Sequence, residues 1–291
     1  MPMRPIDQIK SRTAFLFLHQ SRWGMESILQ NVSLSRDTKL DIMEKVKKGK
    51  PVIDKCYKKF NLFNFATPEE ATRMAVPAGH WTPSDVRDSY FSWESLGIYS
   101  WYLRVIDKTD FPPYYELFKH EPIYGKLGLA PSQMNTFEKF FSQEHDTISD
   151  KNFLKALKVA EAWYWRCQSQ RVYLLKQNKT TEEQAQLPKT LQTMMNECEK
   201  VIEAGTQRAF EEGYIAEPIE NDFPVNGRSY KTINSEEVET LDKISLNRLN
   251  ELSYIAGREL TDDNVYVRGV PSVWEAIEER IQYEEKSDQK S

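Results

Sequence analysis

"EAWYWRCQSQR", residues 161–171, sets two tryptophans, a tyrosine, a cysteine and two arginines within eleven positions. Read as a loop, this stretch would be an aromatic platform for stacking a ligand; read as a helix, it is an inner face. Helical spacing favours the second. At 100° per residue, positions 153–177 gather Phe153, Ala156, Leu157, Ala160, Trp163, Tyr164, Cys167, Leu174 and Leu175 on one broad apolar face. Trp165 lies toward an edge of that face, and Arg166 projects opposite, among Lys155, Ala162, Ser169 and Tyr173, as a solvated residue would. Arg171 shares the direction of Phe153, in the middle of the apolar face. A guanidinium there cannot shed its charge and is costly to desolvate, so it requires a partner or a wet cavity.

The same periodicity recurs along a chain with only 11 glycines, and it predicts helices over 24–46, 68–75, 83–107, 150–178, 188–212, 235–257 and 272–286. Several carry explicit boundaries. Thr82, Pro83 and Asp85 supply a cap, a first-turn proline and an early acid. Asn234 and Glu237 stand at capping-box spacing, and Gly213 and Gly257 fall where two helices should stop. Residues 108–149, containing "DFPPYYELFKHEPIYGKLGLAPSQ", alternate turn signals with aromatics and read as an ordered connection with short helical turns. Asn226-Gly227 between short mixed runs signals a β-hairpin near 222–231. The expected architecture is mainly α, an irregular multi-helix domain with one small hairpin. Residues 1–23 are expected as an N-terminal arm packing on the body, 24–286 as one helical domain, and 287–291 as a disordered tail.

Four charged residues point inward on these wheels. Glu94 falls between Trp101 and Val105 on the densest side of the 83–107 helix, and Arg104 lies at the edge of that face beside Val86. Arg248 falls within the stripe of Leu241, Ser245, Leu249, Leu252 and Ile255, and Arg171 completes the set. Two readings of Glu94, Arg104, Arg171 and Arg248 stay open. Either they form a buried ion-pair network that fixes helix register, or the excess of arginine makes an electropositive site for a carboxylate or phosphate. Glu161, Glu220 and Asp222 are the carboxylates placed to close the balance.

Composition bounds the rest. Apolar residues at 40% and aromatics at 12% provide a core, and 29% charged residues a solvated surface. The net charge of −5 argues against nucleic-acid binding through a broad basic surface, and the lysines of "MEKVKKGKP" read as a solvated stretch. No apolar run approaches the roughly 20 residues that span a bilayer. Cys56, Cys167 and Cys198 are an odd number without CxxC spacing, which fits reduced intracellular thiols. Cys167 and Cys198 fall on buried faces, leaving Cys56, among Lys55, Lys58 and Lys59, as the more reactive thiol. Dinucleotide, P-loop and hydrolase motifs are absent, and the four histidines are too scattered to suggest a metal, so neither metal nor cofactor is expected. Arg4, Lys10, Arg12 and Arg22 against Asp7 faintly resemble a mitochondrial presequence. A cytoplasmic location is the first expectation and a mitochondrial one the alternative.

The ordered segments "SWESLGIYSWYLRVID", "AEAWYWRCQSQR", "RAFEEGYIAEPIENDFPVNGRSYKTINSEEVETL" and "RLNELSYIAG" resemble the helical family catalogued as domain of unknown function 4272, which has bacterial and fungal members. The resemblance covers roughly residues 68–275, with Glu94, Arg171 and the "FPVNGRSY" hairpin at matching positions, and it fits only loosely after Gly257. It implies a helical fold and association with mitochondria for some members; it implies no activity. The expectation is a soluble, non-catalytic binding or protein-interaction module. The alternative is an enzyme or ligand-binding protein for a small anionic phosphate or carboxylate compound held by inward-facing arginines.

Overall fold

The computed structural model describes residues 3–31, 33–107 and 111–258, and the predicted 272–286 helix lies outside them. Of the described residues about 70% are helical, with one two-stranded hairpin among them, a mainly α multi-helix fold. It divides into two compact units: one holds the chain up to Asp150 and again from Asn250, the other Lys151–Leu249.

The first unit is organised around α1 (Ile6–Leu29), the segment expected as an arm. Helices α2 (Arg36–Lys59), α3 (Pro68–Ala75), α4 (Pro83–Tyr90), α5 (Ser92–Tyr102) and α7 (Met134–Ser142), with the short 3-10 turn Leu62–Phe65, pack on it, while α6 (His120–Leu127) packs on α5. The "AFLFL" run that looked like a short patch is fully buried from Ala14 to Leu18. The charged residues around it are buried too, because each meets a partner. Lys10 donates to the Phe141 and Gln143 carbonyls at the end of α7, at 3.1 and 2.6 Å. Arg12 reaches Glu70 on α3 and Glu251, at 2.5 and 2.7 Å. Arg22 pairs with Glu26 at 2.5 Å, and Glu26 accepts the Gly79 N–H at 2.8 Å.

Two predicted helices are divided. The 24–46 reading straddles α1 and α2: α1 stops at Leu29, and Ser35 caps a new helix by accepting the Thr38 N–H at 3.2 Å. The 83–107 reading breaks at Phe91, whose N–H turns back to the Asp88 carbonyl before the ladder restarts in α5. The Thr82–Asp85 capping box forms as its spacing predicts. Cys56, expected as the reactive thiol, is buried on α2, and burial raises its pKa.

The second unit consists of α8 (Asp150–Asn178), α9 (Thr181–Ala185), α10 (Lys189–Glu211), the hairpin β1 (Pro224–Val225) and β2 (Arg228–Ser229), and α11 (Ser235–Ile255) as far as Leu249. Antiparallel register pairs Pro224 with Ser229 and Val225 with Arg228 across the Asn226-Gly227 turn. The Asn234 and Glu237 box is formed with both bonds at 2.9 Å. Gly213 and Gly257 close α10 and α11 in left-handed conformation, with the paired carbonyl bonds of a Schellman turn.

His19 is the exposed cost of burying α1 so completely. Its ring lies between Phe15 and Trp81, at centroid distances of 6.2 and 5.5 Å, and neither nitrogen has a hydrogen-bond partner. Burial lowers its pKa from 6.5 to about 4. In the unfolded chain the same ring binds a proton through that whole window. Stability is therefore full above pH 6.5 and falls as the pH drops toward 4. Between pH 7 and 5 the loss from this one group is about 2 kcal/mol. Denaturant titrations of wild type and His19→Phe at both pH values should show that loss diminished by about this amount in the variant.

Candidate functional site

The four inward charges of the sequence reading separate. Glu94 is buried on α5, and its carboxylate accepts the Phe118 N–H at 2.8 Å, fixing the connection that precedes α6. Arg104 lies past the end of α5 and is exposed, because the helix closes at Tyr102 instead of running to 107. Arg248 is fully buried on α11, as its stripe predicts. Arg171 is the largest departure: its side chain is 59% exposed and pairs with Asp242 on α11.

The buried arginine of α8 is Arg166, the one expected in solvent. Its Nε and one terminal nitrogen hold both oxygens of Asp222 at 2.6 and 2.7 Å, and neither side chain has any exposure. The guanidinium also lies 4.3 Å above the Tyr230 ring and donates to Gln170 at 2.8 Å. Asp222 in turn accepts the backbone N–H groups of Phe223 and Lys231, at 2.8 and 2.9 Å. One carboxylate thus closes the hairpin and binds it to α8. The aromatic stretch packs around this pair: Trp163 stacks on Phe223 at 5.3 Å, and Tyr230 donates to Cys167 Sγ at 3.0 Å. Burial pushes the Cys167 thiol up to about 11, so it is inert at neutral pH.

Within the first unit, the ends of α5, α6 and α7 enclose a polar hollow of about 550 Å³. Arg104 enters from the turn after α5 and Lys126 from the last turn of α6. Asn135, Thr136 and Lys139 come from one face of α7, at helical spacing, and His145 from the strand-like segment beyond it. None of the described residues lining the hollow is acidic. Lys126 is paired with Asp107 at 2.7 Å, but among the described residues Arg104 and Lys139 make no ion pair. The first turn of α7 adds the positive end of a helix dipole. Burial, with a smaller push from Lys10, lowers the His145 pKa, and its Nε2 is buried without a hydrogen-bond partner.

Arg104 has an unusual backbone. The N–H of Arg104 bonds the Trp101 carbonyl at 3.0 Å and that of Val105 the Ser100 carbonyl at 2.8 Å, which makes Arg104 the C′ residue of a Schellman turn. Its φ is +51°, where glycine is strongly preferred and other residues incur about 1–2 kcal/mol. Gly213 and Gly257 fill the equivalent position in α10 and α11. The sequence carries a signal for this site in retrospect: "LGL" at 127–129 ends α6, and Lys126 and Lys139 flank it, but nothing local marks Arg104 as the end of a helix.

Among the described residues no group of three or more His, Cys, Asp or Glu side chains lies close enough to hold a metal ion, and no helix is long and apolar enough to cross a membrane. No family model, curated protein or solved structure matches the chain.

The two ion pairs of α8 should differ sharply in what their loss costs. Asp222→Ala strands a buried guanidinium and is expected to cost about 3–5 kcal/mol. Arg171→Met removes a half-solvated pair and should cost no more than about 1 kcal/mol. Urea midpoints of the two variants, compared with wild type, measure both.

Proposed function

We propose that this protein is a non-catalytic binding module for a small anionic compound, taken up in the hollow between the ends of α5, α6 and α7. One observation supports the reading above the others: two cations without ion-pair partners, Arg104 and Lys139, face a cavity whose described walls carry no acid. In a chain of net charge −5, where each buried arginine of α1 has a carboxylate beside it, leaving these two unpaired requires a reason. A phosphate or carboxylate supplies it. Guanidinium and ammonium bind such groups through charge-assisted hydrogen bonds, and Asn135 and Thr136 add neutral polar partners. Kinship with the helical family named above belongs to the same proposal and rests on the quoted segments.

Of the four residues expected from sequence, this reading keeps Arg104 and adds Lys126, Lys139 and His145. Glu94 is assigned a structural part, since its carboxylate holds the Phe118 backbone. The left-handed backbone of Arg104 fits the same view, because strained residues persist where a side chain is needed in one place.

Arg104→Gly separates function from stability. Glycine removes the left-handed penalty of about 1–2 kcal/mol, partly offset by about 0.5–1 kcal/mol of extra unfolded-state entropy. The variant should melt at or slightly above the wild-type temperature. A sugar phosphate at about a hundred times its dissociation constant should stabilise the wild type by roughly 2.7 kcal/mol and leave Arg104→Gly unmoved. If sugar phosphates, inorganic phosphate and small carboxylates all leave the wild-type melting temperature unchanged, or move both proteins equally, the reading is wrong.

A further inference from the structure

A second cavity, of about 290 Å³, opens in the second unit between α8 and α10. Trp165, Ser169 and Val172 line it from α8 at i, i+4 and i+7, and Met194 and Cys198 from α10 at i and i+4. Its character is opposite to that of the basic hollow, since most of its wall is apolar. The Trp165 indole is held in place by α10: a Cβ at Gly205 would fall 2.1 Å from Trp165 Cη2, so only glycine lets the ring sit against that helix. The ring is 5% exposed, yet its Nε1–H has no acceptor. A buried donor left in this state costs about 1–3 kcal/mol. The other polar groups of the wall are engaged elsewhere, Ser169 Oγ with the Trp165 carbonyl at 3.0 Å and Gln168 Nε2 with Asp242 at 2.7 Å.

At the rim stands Arg171. Asp242 engages one of its terminal nitrogens and is not among the described residues of the wall, so the rest of the guanidinium remains for another acceptor. Apolar walls and a cation at the mouth describe a ligand with an apolar body and a single anionic end.

We propose that the α8–α10 cavity binds a small monocarboxylate with an apolar tail, the tail lying against Val172, Met194 and Cys198 and the carboxylate accepting from Arg171. Octanoate, an apolar chain ending in one carboxylate, has this chemistry. This site involves none of the residues of the basic hollow, and it stands or falls independently of it.

The test is calorimetric titration of the full chain with octanoate and with octan-1-ol. Octanoate should bind at least tenfold more tightly than the alcohol. Arg171→Met should weaken octanoate by tenfold or more, and Met194→Trp, which fills the cavity from its half-exposed wall, should abolish binding. Arg171→Met lies at the surface and keeps the test informative should Met194→Trp impair folding. Arg104→Gly should bind octanoate as the wild type does, which separates this site from the basic hollow. The proposal is overturned if octanoate does not bind, if the alcohol binds as tightly, or if a folded Met194→Trp or Arg171→Met retains wild-type affinity.

Discussion

The first unit depends on the position of one guanidinium. Arg12 lies in the second turn of α1 and meets Glu70 from α3 and Glu251 from the last turns of α11, with the Tyr99 hydroxyl of α5 donating to Glu251 at 2.5 Å. Four helices distant in sequence are registered by one set of charges. Burying one cation with two carboxylates leaves an excess of negative charge, which ordinary packing would not tolerate. The excess is absorbed by further donors, the Tyr99 hydroxyl on Glu251 and the Thr67 N–H on Glu70 at 2.9 Å, while Arg12 also donates to the Phe65 carbonyl at 2.9 Å. Glu70 is thereby the capping-box acid of α3 and the partner of Arg12 at once. Burial by itself would raise its pKa, but the attraction of Arg12 outweighs it and holds the carboxyl below its ordinary range. Such a network contributes less to net stability than to uniqueness, because a sliding of α1 by one residue would separate every charge in it.

That network is what the inward charges of the sequence suggested in kind, and its members could not be read from sequence. Helices with complete local punctuation were legible: α3 and α8 at their observed bounds, α10 and α11 within two residues, and the hairpin from its Asn-Gly turn. The failures share a cause. A helical wheel assumes burial on one side along the whole axis. From Ala160 to Gln170 α8 is buried on nearly every side, and beyond Arg171 it is half-buried or exposed. Arg171 therefore shares an angle with Phe153 and not its depth, whereas Arg166 lies on the polar side of the wheel and in the most enclosed part of the helix. The signal for Arg166 was present in Gln170 four residues on and in Asp222 of the hairpin, but the pairing is made only in three dimensions. The same limit hid α1, expected as an arm: Lys10 and Arg12 find their partners between 58 and 239 positions away.

The contrast between paired and unpaired cations is the most informative feature of the surface. Arg12, Arg22 and Arg166 lie in full burial beside carboxylates that satisfy them. Lys10 has no carboxylate and is satisfied by two carbonyls at the end of α7, where the dipole favours a positive charge. Exposed cations along α2 carry no such requirement, because water satisfies them. Arg104 and Lys139 belong to neither group: they are accessible, yet they converge with Lys126 on one enclosed volume, so their fields add in a space of reduced dielectric.

The backbone at Arg104 gives the argument a direction that charge alone lacks. A Schellman turn can be closed by glycine at lower cost, and the chain uses glycine for it at the ends of α10 and α11. At α5 it does not, although the bonds closing the turn are equally short. Packing cannot account for the choice, since the side chain is exposed and contributes no ion pair among the described residues. On the reading proposed above, a side chain that adds strain to its own turn and pairs no charge among the described residues is kept for what it presents to the hollow. The physical distinction is between Arg12, whose position the fold requires, and Arg104, whose position the fold tolerates.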